Sequence, residues 1–120
     1  MTPRRNFDHL PHGLARALSV VGEWWTPLVI VAINEGNHRF EAIQTSLDIA
    51  RNILTDRLTT LVDNGLVHKI EYSTRPKRYE YHLTDAAQEL ISIFGDLSEW
   101  GNKWFGDDGD NGSAGVPARV

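Results

Sequence analysis

Cysteine is missing from the whole 120-residue chain, and methionine occurs once. Without thiols the chain can form no disulfide, no thiolate-bound metal site and no sensor or catalyst that works through sulfur. Long apolar runs are missing too. The longest, Leu28 to Ile33, has charge or glycine within a few residues on either side and falls far short of a bilayer's thickness. Arg4 and Arg5 near the start are not followed by an apolar block, so no secretory leader is read and a cytoplasmic protein is the expectation. The residue patterns of common catalytic sites are absent as well. There is no phosphate-cradling glycine loop, no Ser/His/Asp arrangement of recognisable spacing and no metal motif, so neither an enzyme nor a cofactor is expected. Of the five histidines, His68 and His82 would face each other across a hairpin in which residue 72 meets residue 78, but no third ligand can be assigned to them. The aspartate-rich tail is not a calcium loop, because from Asp108 the glycine falls one position early and Arg119 stands where a bidentate glutamate belongs.

What is present suits one domain with one core. The apolar fraction of 41% and the charged fraction of 23% are those of an ordinary globular protein. The formal net charge of -4 speaks against a polyanionic partner until the chain is divided. Residues 84–120 hold two cations against seven acids, whereas residues 39–83 hold seven against six, with Arg75, Lys77 and Arg78 close together. A local cationic patch matters more to a polyanion than the whole-chain sum.

Periodicity gives the elements. Leu14, Ala17, Leu18 and Val21 mark a helix from about Gly13 to Val21, ended by Gly22. Thr26-Pro27 reads as an N-cap and first position of a helix running to Asn34, apolar nearly all round and so the most buried element. Phe40, Ile43 and Leu47 mark a short helix, and Asp48-Ile49 turns tightly into a longer one over 50–64. Its stripe is Ala50, Ile53, Leu54, Leu58, Leu61 and Val62, and Asn64-Gly65 closes it. The period then changes to alternation over Leu66 to Tyr72 and Arg78 to Leu83, a hairpin with a five-residue loop at 73–77. Thr84-Asp85 caps a long last helix with Leu90, Ile91, Phe94, Leu97, Trp100 and Trp104 on its stripe. The expected organisation is a flexible arm over 1–11, a domain over 12–105 and a disordered acidic tail over 106–120. Two short helices joined by a tight turn, then a hairpin, make a winged helix-turn-helix: mainly α with a β-hairpin wing.

At this level the residues resemble a known family. Ala15-Arg16-Ala17-Leu18, Val21-Gly22, Trp25-Thr26, Arg39-Phe40 and Ile53-Leu54-Thr55 stand in its order, followed by Arg57-Leu58 and by Leu61 leading to Asn64-Gly65-Leu66-Val67. Tyr72, Pro76, Arg78, Glu80-Tyr81, Leu83-Thr84 and Glu99-Trp100-Gly101 complete it, so that the match covers about residues 12–101. The chain is similar to the HxlR-type regulators, a bacterial branch of the MarR-like winged-helix proteins. That resemblance implies a DNA-binding transcriptional regulator, a homodimer without enzymatic activity. Departures stand beside it. His12 takes the place of a cysteine that senses oxidants in many members, and Ala50 that of a serine capping the recognition helix, so that Asp48 must cap it or the helix start is weaker by ~1 kcal/mol. Trp24 and Asp56 stand where polar or basic residues are usual.

Each candidate site has a functional and a plain reading. Segment 50–64 is expected in the major groove, with Arg51 suited to guanine and Asn52 to adenine, and with Thr55, Asp56 and Thr59 on the same side; otherwise this is a solvated helix face. Arg57 lies on the edge of the apolar stripe and reaches either a phosphate or an acid of the protein. The wing cations Arg75, Lys77 and Arg78 are assigned to the DNA backbone or minor groove, or else are an ordinary charged loop tip, and Arg39 is counted among the DNA-binding residues. Leu14, Leu18, Phe94, Leu97, Trp100 and Trp104 are too much apolar surface for a monomer of this size and are assigned to a dimer, unless the tryptophans pack on their own chain. Trp24, Trp25 and Phe94 outline a space for a small-molecule effector, though such aromatics equally build cores. A winged-helix module that binds protein rather than DNA is the competing function.

Overall fold

The computed structural model describes residues 12–106. Helix α1 spans Gly13–Val21, α2 Trp25–Asn34, α3 Phe40–Leu47 and α4 Arg51–Asp63; strands β1 (Val67–Thr74) and β2 (Lys77–Leu83) follow, and α5 runs Asp85–Phe105. This is the winged helix-turn-helix order. The arm at 1–11 and nearly all of the tail lie outside the described residues.

Helix α2 is the centre of the core. Val29, Ile30 and Ile33 are fully buried, and around them pack Ile43 of α3, Ile49 of the turn, and Leu54, Leu58 and Leu61 of α4. Leu66, Val67, Tyr81 and Ala87 close the cluster from the hairpin and the start of α5. Non-directional burial of this kind supplies most of the driving force for folding. Gly65 follows α4 at φ 76°, a left-handed conformation that a residue with a Cβ adopts only with strain.

Three local expectations are corrected. Helix α2 begins at Trp25 rather than Pro27, and Thr26 is not its N-cap. The carboxylate of Glu23 takes that task, accepting the Trp25 and Thr26 backbone N–H groups at 3.0 and 3.1 Å. Pro27 still falls within the first turn, where a missing N–H is harmless. Secondly, Asp48 does not cap α4. It ends α3 in the left-handed region at φ 53°, and Ala50 occupies the N-cap of α4 with no side-chain hydrogen bond. Thirdly, the wing's loop is two residues, not five. Ser73 pairs with Arg78 and Thr74 with Lys77, leaving Arg75-Pro76 as the turn. His68 does face His82, but the ladder slips by one between Glu71 and Ser73, so that Arg78 meets Ser73 and not Tyr72.

The caps of the outer helices differ in legibility. Thr84 accepts the Ala87 N–H through its side chain at the start of α5, as its sequence context indicates. His12 caps α1, its Nδ1 accepting the Ala15 N–H at 3.2 Å, a role the sequence did not announce.

Candidate nucleic-acid interface

Because Leu54, Leu58 and Leu61 turn one side of α4 into the core, the opposite side is fixed by the helical period. Arg51, Asn52, Thr55 and Thr59 all lie there, exposed. Thr55 Oγ1 donates to the Arg51 carbonyl at 3.0 Å and Thr59 Oγ1 to the Thr55 carbonyl at 2.9 Å, so both hydroxyl protons are used within the helix. The Arg51 guanidinium stands 4.6 Å over the Phe40 ring, with Glu41 at 3.9 Å. An exposed ion pair of that length holds a side chain only loosely. With Ala50 at the N-cap, the first-turn N–H groups of α4 have no side-chain acceptor.

Asp56 and Arg57 behave differently from the rest of the helix. Arg57 is only 13% exposed, and its Nη1 donates to Asp56 Oδ2 at 2.8 Å. Its other edge faces Glu23. Of the two readings open for Arg57, a phosphate or an internal acid, the structure has the second. Asp56 in turn does not present a bare carboxylate to solvent.

Arg75, Lys77 and Arg78 are all exposed at the end of the hairpin. Arg39 stands at the N-cap of α3. Its guanidinium is 4.1 Å from the Tyr72 ring centre, and its Nε donates to Glu80 Oε2 at 3.2 Å. Glu80 also accepts from His82 Nε2 at 3.0 Å, and His82 stacks on His38 with centroids 4.1 Å apart. The His82 hydrogen bond, with Arg39 beside it, outweighs the remaining desolvation and holds the Glu80 carboxyl below the ordinary range. The α2–α3 connection is thereby joined to the wing by side chains as well as by the Tyr81 N–H, which donates to the His38 carbonyl at 2.7 Å. Sequence reasoning placed Arg39 at the DNA but missed Tyr72 and Glu80 as its setting, because both lie more than thirty residues along the chain from it. Among the described residues no group of three or more His, Asp or Glu side chains is arranged to hold a metal ion.

The residues assigned to a dimer divide. Phe94 packs against the core, whereas Leu14, Leu18, Leu97, Trp100 and Trp104 are exposed. Leu14 is 66%, Leu97 59% and Trp100 55% exposed, and Ile93 and Phe105, which the stripe on sequence omitted, join them. For the effector space the three aromatics also separate. Trp25 and Phe94 pack against the core and Trp24 stands in solvent at 76% exposure, so the three do not enclose one cavity. No single helix among the described residues is long and apolar enough to cross a membrane.

Comparison with known proteins fits this arrangement. The model of the HxlR-like helix-turn-helix family matches residues 20–108, most of the chain. The chain belongs to the HxlR-like family. A relative from Mycobacterium tuberculosis named as an HTH-type transcriptional regulator is 38% identical over 92 residues, covering 77% of this chain and 58% of its own length. The chain therefore spans under two thirds of the mycobacterial protein it matches. A solved transcription-factor structure from Pseudomonas aeruginosa is 36% identical at a TM-score of 0.63, over 88% of this chain and 75% of that one. Another crystal structure described as a transcription factor superposes at a TM-score of 0.79 and 28% identity, over 96% of this chain and 84% of the other. As an HxlR-like protein the chain is similar to proteins named as helix-turn-helix transcriptional regulators, and it has the winged fold that its sequence pattern implies.

Proposed function

We propose that the protein binds duplex DNA as a homodimer, with α4 in the major groove and the wing on the backbone or in the minor groove. The observation that carries this reading is the uncovered polar side of α4, Arg51, Asn52, Thr55 and Thr59, followed directly by a hairpin ending in three exposed cations. Arg51 reads guanine and Asn52 adenine through bidentate hydrogen bonds, each worth about 1–3 kcal/mol of discrimination. Arg75, Lys77 and Arg78 bind phosphates, and the unfilled N-terminus of α4 offers its N–H groups to another. Arg39, held over Tyr72 beside the wing, serves the backbone there.

A second copy supplies the second half-site. The exposed side chains of α1 and of the latter part of α5 are the surface assigned to it, since a soluble monomer seldom exposes an apolar patch beyond a few hundred Å². Two copies related by a twofold axis would present recognition helices to half-sites about 34 Å apart. The main objection to a nucleic-acid partner is the acid on the reading helix. It is weakened by the Asp56–Arg57 pair, which meets that charge within the protein.

The test is the binding of fluorescently labelled duplex from the gene's own upstream region across a salt series. Contacts to several phosphates make log K fall linearly and steeply with log salt. Binding that is absent, or indifferent to salt, would return the molecule to the protein-binding reading.

A further inference from the structure

Glu23 stands at the corner where α1 gives way to α2, two helices that meet at 77°. One carboxylate oxygen, Oε1, accepts the Trp25 N–H at 3.0 Å, the Thr26 N–H at 3.1 Å and the Thr26 hydroxyl at 3.1 Å. The other, Oε2, accepts Arg57 Nη2 at 3.0 Å, while Arg57 Nε lies 2.9 Å from Oε1 without the alignment of a hydrogen bond. Thirty-four residues therefore separate the ends of a two-point grip between the most buried helix and the helix that presents Arg51 and Asn52.

We propose that Glu23 and Arg57 are positioning residues for the reading helix, a clamp that fixes the roll of α4 about its own axis although neither residue touches DNA. This rests on the DNA-binding reading above. The physical need for such a clamp comes from the core itself. Leu54, Leu58 and Leu61 anchor α4 by burial, which has no preferred direction, so small rolls change little apolar area. A roll of about 20° moves a group some 6 Å from the helix axis by about 2 Å. That is enough to break a bidentate contact to a base, whose length tolerates a few tenths of an ångström. A charge-assisted hydrogen bond from Arg57 Nη2 to Glu23 Oε2, with Nε held close to Oε1, is directional where burial is not, and the single ammonium of a lysine does not reproduce the planar guanidinium's approach along two edges. Arg57 adds a second effect on the same helix, drawing the Asp56 carboxylate toward itself at 2.8 Å. Because Glu23 also caps α2, the α1–α2 corner and the reading helix are tied through one side chain.

The experiment compares the full-length protein with Arg57→Lys and Glu23→Gln, using a duplex selected from a random library and a scrambled duplex, each across a salt series. Simple electrostatics makes Arg57→Lys neutral, and makes Glu23→Gln bind every duplex more tightly because it removes a negative charge. The clamp requires the opposite. Both variants lose about tenfold or more of the ratio of selected to scrambled binding, the salt slope stays as in the parent, and the double variant is no worse than either single one. Melting curves report whether each variant is folded. Glu23→Asp, which keeps the charge and draws the carboxylate back by about 1.5 Å, gives the same loss of ratio should Glu23→Gln unfold. An unchanged ratio in the folded variants overturns the clamp alone. A salt slope lowered by about one in Arg57→Lys also overturns it, by making Arg57 a phosphate contact. Absence of salt-sensitive binding in the parent protein overturns the regulator reading, and the clamp falls with it.

Discussion

Arg51 leans over the Phe40 ring from the first turn of α4, and Lys77 sits in the ladder opposite Thr74 at the end of the wing. Both are exposed cations, but the proposed function sets one beside the side chains meant for base edges and the other on a tip meant for the backbone. Lys77→Ala is therefore expected to weaken binding to all duplexes about equally and to lower the salt slope by about one. Arg51→Ala should instead blur preference among sequences, at about 1–3 kcal/mol for the preferred base. Competition binding at two salt concentrations separates the outcomes, and an exchange of the two patterns would reverse the roles. A pH prediction belongs to Glu23. Burial pushes its carboxyl up, but the hydrogen bond from Arg57, the Trp25 N–H and the Arg57 charge outweigh that and leave it below the ordinary range. A carboxyl depressed on folding stabilises the native state at pH above its unfolded value, and that contribution is lost as pH falls through the folded value. Between about pH 5 and pH 3 the native chain should lose stability more steeply than Glu23→Gln, read as melting temperature against pH. Pairing of Arg57 with an acid of the protein was one of two readings open in the sequence, but that the acid is Glu23 was not legible. Capping preferences point to Thr26, which has the favoured side chain, and an ion pair spanning the chain from α2 to α4 leaves no local pattern.

Among the elements, α4 was the most legible and its ends the least. Leucines at 54, 58 and 61 recur at the helical period, and burial of that stripe follows from the period alone. The start could be read only as a choice between Asp48 and nothing. Asp48 turned out to be committed to the left-handed end of α3, which places it outside the capping position. Ala50→Ser should supply the missing acceptor and raise stability by about 1 kcal/mol, a melting increase of about 4–8 °C; no increase in a thermal melt would mean that water or a neighbour already satisfies those N–H groups. The hairpin was legible as a hairpin but not in its length. Ser73 and Lys77 do not favour a strand, so that Thr74, which does, stands alone beside Arg75-Pro76, and the slip of register at Tyr72 that brings Ser73 opposite Arg78 is a matter of geometry that composition does not encode. The same slip accompanies the seating of Tyr72 beneath Arg39, so the irregularity lies where the wing meets the first helix of the motif.

For the whole molecule the fold was readable because every level agreed: periods, caps of α5, the hairpin signal and the order of elements. The division of the apolar stripe on α5 was not readable, since one stripe serves two surfaces. Its first half, with Ala87, Leu90, Ile91 and Phe94, packs on the core, and its second half carries Leu97, Trp100 and Trp104 into solvent. Leu97→Asp combined with Trp100→Asp should leave the domain folded yet turn a dimer into a monomer in sedimentation equilibrium, with DNA affinity falling by an order of magnitude or more as the second half-site is lost. A variant that stays dimeric would move the interface elsewhere.

From Gly95 to Phe105, about three turns, every described side chain except the glycine at 101 is exposed. On the proposed dimer a second copy gives those turns an apolar surface to lie against, which a solitary chain lacks. On that reading abundance acts on assembly: while pairs are the minority, doubling the number of copies roughly quadruples the number of completed pairs.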